Sequence, residues 1–90
     1  MIRVAKVAPK SDFSLMLDFT NGERRRFDIR PYLELGVFQR LKNPELFKQA
    51  RVAFGTVCWP GELDISPDTL YLESVPHSDQ NQFDRAIKNI

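Results

Sequence analysis

Phe13, Leu15, Leu17 and Phe19 occupy every second position of the chain and alternate with Ser14, Met16 and Asp18, the period that lines one face of a β-strand. Asn21-Gly22 follows, a hairpin signal whose commonest form is a two-residue type I′ loop. That loop would set Leu17 against Arg26 and Leu15 against Asp28, with charges on the apolar face. A three-residue Thr20-Asn21-Gly22 loop pairs Leu15 with Phe27 and Phe13 with Ile29 instead. A one-residue slip turns every side chain to the other face, so the pattern selects the longer loop, with Gly22 left-handed at a bulge. Asp18 then stands opposite Arg24 on the outer face.

Ahead of this hairpin, Ile2, Val4 and Val7 interleave with Arg3 and Lys6 and predict an opening strand that ends before Pro9. Val7 is out of phase with the other two, which calls for either a bulge near Ala5 or burial on both faces at the strand's end. Beyond the hairpin, Pro31 fits the first position of a short helix to Leu35 that Gly36 would terminate. Val37, Phe38 and Leu41 have helical spacing. Asn43-Pro44 then reads as an N-cap and first helical position, with Glu45 and Lys48 placed as a helix dipole prefers.

Val52, Phe54, Val57 and Trp59 predict two short strands, or one strand bent at Gly55. Pro60-Gly61 ends the pairing. Ser66-Pro67-Asp68 repeats the helix-start grammar, with a capping hydroxyl, a proline and an acid in the first turn, and Leu70 and Tyr71 would face the sheet. After Val75-Pro76, Phe83, Ala86, Ile87 and Ile90 share one face of a short terminal helix that Ser78 would cap. So short a helix needs a surface to dock on, either its own sheet or a partner chain.

The fold class expected is α+β. A small antiparallel sheet of about five strands (the N-terminal strand, the hairpin and two short strands) packs against short helices. Residues 1–75 form one compact domain and 76–90 a tail with one amphipathic helix. Ninety residues support a single small core. A formal net charge of +1 leaves no global field for nucleic acid or anionic membranes. The lone Cys58 has no intrachain disulfide partner, and the alternating N-terminus is unlike a signal peptide, so a reducing, cytoplasmic setting is expected. No apolar run has the roughly 20 residues of a membrane span.

Glu62, Asp64 and Asp68 supply the residue types for acid–base work or a hard cation. The structural reading gives each another role. Asp68 meets a helix N-terminus, Asp64 accepts backbone N–H bonds before Ser66, and Glu62 is solvated. Cys58 and His77 contain the types of a thiol nucleophile site, but a strand cysteine beside tryptophan suits a small buried hydrophobe. One histidine and one cysteine do not close a zinc site. No catalytic residue, metal or cofactor is therefore assigned. Arg24-Arg25-Arg26 is the strongest local charge run and the basis of an alternative, nucleic-acid-binding reading. Gly22, Asp64, Ser66 and Asp68 are read as turn and cap residues. Trp59, Pro60 and Tyr71 suit either the plug of a small core or an anchor for a partner.

Three stretches in this order resemble one family: Leu15 to Glu23 with Phe27-Asp28-Ile29; Phe38 to Leu41 with Asn43-Pro44-Glu45-Leu46-Phe47; and Trp59-Pro60 with Asp64 to Tyr71. Over residues 2–75 the chain is similar to the small prokaryotic family catalogued as domain of unknown function 2442. The resemblance implies an α+β fold without an established activity. Some relatives carry a helix-turn-helix domain after this one, which a chain of this length is expected to lack. Relatives are often encoded beside another small protein, and the resemblance thereby implies an accessory or antitoxin-like role. Gly61-Glu62 departs from the family's usual polar residue followed by glycine, which points to a different turn there. The expected function is protein interaction without catalysis, with another small protein or a second copy, through Trp59, Pro60, Tyr71, Phe83, Ile87 and Ile90.

Overall fold

The computed structural model describes residues 1–77; the predicted terminal helix, with Ser78, Phe83, Ile87 and Ile90, lies outside the described residues. The strands are β1 (Val4–Pro9), β2 (Ser14–Phe19), β3 (Arg24–Asp28), β4 (Arg51–Ala53), β5 (Thr56–Trp59), β6 (Leu63–Ile65) and β7 (Val75–Pro76). They divide into two antiparallel sheets, one ordered β1-β2-β3-β7 and the other β4-β5-β6. The fold is α+β as expected, but two sheets replace the single one.

The first hairpin has the register that its apolar pattern demands. Leu15 pairs with Phe27 and Asp18 with Arg24, the Ile29 N–H donates to the Phe13 carbonyl at 3.1 Å, and Gly22 takes φ +91°. Leu15, Leu17, Phe27 and Ile29 are completely buried as a result. In β1 the register with β2 jumps between Val4 and Lys6, so the phase break at Val7 is a bulge. The extra residue lets β1 serve both sheets. Its Val4 N–H donates to the Gly55 carbonyl at 2.9 Å, at the tip of the hairpin between β4 and β5.

Between the sheets run two 3₁₀ segments, Arg30–Tyr32 and Gly36–Lys42, and the short helix α1 (Pro44–Phe47). Gly36, expected to terminate a helix, instead opens the second 3₁₀ segment at φ +46°. Asn43 caps α1 by accepting from the Glu45 N–H. Helix α2 (Pro67–Leu72) begins as its sequence dictates, with the Ser66 side chain accepting from the Thr69 N–H and Asp68 in the first turn. It buries Leu70 in the core, which also contains Leu41, Phe47, Val57, Trp59 and Leu63. Burial of side chains of this size contributes about 1.5–3 kcal/mol each. None of the described helices is long and apolar enough to cross a membrane.

Candidate functional site

Trp59 is only 1% exposed, which removes it from any exposed anchor. Its indole N–H donates to the Phe47 carbonyl at 2.9 Å, and its ring stacks on Phe47, which in turn meets Phe13. Inward projection from β5 beside Leu63 places it there, so its tryptophan chemistry is satisfied inside the fold.

Tyr71 belongs to a different cluster. Its half-buried ring meets Phe19 edge-on and lies beneath the Arg25 guanidinium, while its hydroxyl donates to Glu23 Oε2 at 2.5 Å. Arg25 also reaches Glu23 Oε1 at 2.8 Å, and donates to the Ser74 hydroxyl and carbonyl, each at 2.7 Å. The hydrogen bond from Tyr71, with that from Arg25 behind it, holds the Glu23 carboxyl below its ordinary range, and the same bond to Glu23 pushes the Tyr71 phenol up. This clamp ties the end of α2 and the entry to β7 onto β3.

Arg25 is therefore withdrawn from the basic patch that the sequence offered. Arg24 Nε lies 2.7 Å from Asp18, and Arg26 is 3.7 Å from Asp12. The nearby Arg30 is held by Asp28 at 2.8 Å. The donated bond from Arg24 lowers the Asp18 pKa, and that from Arg30 lowers Asp28. The hairpin presents alternating charge instead of a run of bare cations.

The acids after Trp59 do not converge. Ser66 and Asp68 occupy the predicted cap and first turn of α2. Asp64, expected to accept backbone N–H bonds in a turn, instead projects outward from the middle of β6, opposite Cys58. The alternation of Leu63 and Ile65 into the core forces it outward. Glu62 sits in the β5–β6 loop at φ +64°, after Gly61 at φ +88°. The inverted Gly61-Glu62 order thus leaves a non-glycine residue in the left-handed region. Arg40 lies so close to Gly61 that a Cβ there would collide with its guanidinium. Among the described residues no group of three His, Cys, Asp or Glu side chains is arranged to hold a metal.

The second sheet carries a surface feature that the sequence reading missed. Ala53 pairs with Thr56, so Phe54-Gly55 is a two-residue loop, with φ +55° at Phe54 and +75° at Gly55. Phe54 is 93% exposed. It stands at one end of an open groove of about 460 Å³ on the outer face of this sheet, which passes Cys58 and reaches Pro60 at the far end. Arg51 on β4 and Asp64 on β6 flank Cys58 directly across the strands. A parity check would have found the loop. Val52 and Phe54 share one phase and Val57 and Trp59 the other, so pairing Val52 with Val57 on the core face leaves Phe54 in the turn.

A smaller apolar hollow of about 280 Å³ lies between Phe13 and Phe47, with Lys10 and Lys48 at its rim. Among the described residues no histidine lines either concavity; in the groove, Cys58 stands between Arg51 and Asp64. Compared with known proteins, residues 4–76 match the model of the family described as "Protein of unknown function (DUF2442)". No curated protein and no solved structure matches the chain.

Proposed function

The chain belongs to the DUF2442 family of proteins of unknown function, and from that premise we propose that it is a non-catalytic binding module whose partner is a protein. One observation carries this reading: Phe54, a large aromatic, is held at φ +55° and 93% exposed. A bulky residue in that backbone region is strained by roughly 1–2 kcal/mol, and its exposed ring returns nothing to the core. Strain kept at an exposed aromatic is accounted for by burial against a partner. The groove beside it supplies adjoining surface. Pro60, at the groove's far end, keeps its place in the contact set, while Trp59 and Tyr71 act through the fold that supports it.

The nucleic-acid alternative draws less support, because Arg25 is engaged by Glu23 and Ser74 and its neighbours are matched to acids. The single Cys58 fits a reducing, cytoplasmic setting. An accessory or antitoxin-like role follows from the family resemblance and depends on which protein is bound.

A photo-crosslinking benzoylphenylalanine in place of Phe54, in the full chain expressed in cells, tests the reading. A discrete protein adduct is expected from position 54 and not from the exposed control position Lys10. Equal or absent adducts at the two positions overturn it.

A further inference from the structure

The outer face of the second sheet is self-complementary. Arg51, Cys58 and Asp64 form one row across β4, β5 and β6, with a cation at one side, an acid at the other and a small side chain between them. Both charged side chains are exposed, and among the described residues neither forms an ion pair, whereas the arginines of the first hairpin are matched. A two-fold axis running along β5, above Cys58, carries Arg51 to the point facing Asp64. Two such faces apposed about this axis meet cation to acid twice, as an isologous contact requires. The same rotation brings the two Phe54 rings, one from each copy, together at one end of the groove, where each covers the other.

We propose that a second copy of this chain docks on this face, with Arg51 of each copy against Asp64 of the other and Phe54 closing the end. The inference rests on the protein-binding reading above and names the partner. Its chemistry is a small apolar patch flanked by two reciprocal charge pairs. The expected product is a weak, reversible dimer in which the charges set register and the rings supply most of the attraction.

Sedimentation of the purified full chain over a concentration series tests it. Wild type is expected to dimerise, and Phe54→Ser, Arg51→Glu and Asp64→Arg each to weaken dimerisation by about tenfold or more, in line with the coupling of close interfacial charge pairs. The double variant R51E/D64R restores it, because the exchanged charges meet again. A short bis-maleimide, acting through the sole cysteine, links wild type into covalent dimers and does not link Phe54→Ser, a readout that does not depend on the charge variants folding. A monomeric wild type that yields no covalent dimer overturns the proposal, as does a charge swap that fails to rescue. If the position-54 photo-crosslink then captures a different protein, only the second copy is excluded. If it captures none, the binding reading falls too.

Discussion

The Arg25 guanidinium carbon lies 4.7 Å from the centroid of the Tyr71 ring, and both side chains converge on the carboxylate of Glu23. Three consecutive arginines in the sequence thus have unequal roles. Arg25→Ser is expected to destabilise the fold by about 2 kcal/mol, since it removes charge-assisted bonds to Ser74 along with the ring contact. Arg24→Ser and Arg26→Ser, on the outer face, stay within about 0.5 kcal/mol of wild type. Urea unfolding of the three variants distinguishes them, and equal effects would contradict the clamp.

The same cluster predicts two limbs in the dependence of stability on pH. Glu23 has a folded pKa below its ordinary 4.5, so its contribution is present above pH 4.5 and is lost as pH falls through the folded value. Asp18 and Asp28, depressed from 3.8 by their arginines, extend the loss to lower pH. Tyr71 is raised from 10.0, and its contribution is present below pH 10.0 and lost as pH rises through the folded value. In thermal melts across pH, Glu23→Gln should show a shallower acid limb than wild type and Tyr71→Phe a shallower alkaline one. Limbs of unchanged slope would show that these groups are not linked to folding.

Trp59→Phe tests whether the tryptophan supports the fold or meets a partner. The change removes one of the two donors to the Phe47 carbonyl, leaving the Ala50 N–H, and opens space beside Phe47, for a loss of about 1–3 kcal/mol. The expected result is a lower urea midpoint with an unchanged denaturant slope, and unaltered self-association of the molecules that remain folded. Wild-type stability coupled to lost association would return Trp59 to the interface.

Two turn residues are expected to improve the fold when replaced. At Glu62, relief of a left-handed side chain gains roughly 1–2 kcal/mol, against about 0.4–1 kcal/mol for the extra freedom of glycine in the unfolded chain. Glu62→Gly should therefore stabilise by about 0.5–1 kcal/mol. Phe54→Asn creates the Asn-Gly pair that such a hairpin loop prefers and should stabilise by about 1 kcal/mol while weakening dimerisation. Calorimetry and sedimentation on the same variants check both. A Phe54→Asn protein that melts lower than wild type would mean that the ring supports its own fold.

Most of the local structure is legible in the sequence itself. The alternation from Phe13 to Phe19 was long enough to fix a register, and Asn43-Pro44 and Ser66-Pro67-Asp68 carry cap chemistry that works within a few residues. The arrangement of the two sheets was not legible, because it rests on pairings distant in sequence, β7 on β3 and the Val4 N–H on the Gly55 carbonyl 51 positions away, which no local period encodes. Asp64 was misread for a related reason. Beside Ser66 it resembles a turn residue, and only the pairing of β6 with β5 shows that it faces outward. Phe54 passed for a strand residue because its phase agrees with Val52. The clamp stayed hidden too, since nothing near Arg25 in the sequence announces Ser74.

The hydrogen bond from Val4 to Gly55 also has a practical corollary for anyone handling this molecule. A bulky fusion joined at Met1 would tug on Val4, and through it on the very knuckle that displays Phe54.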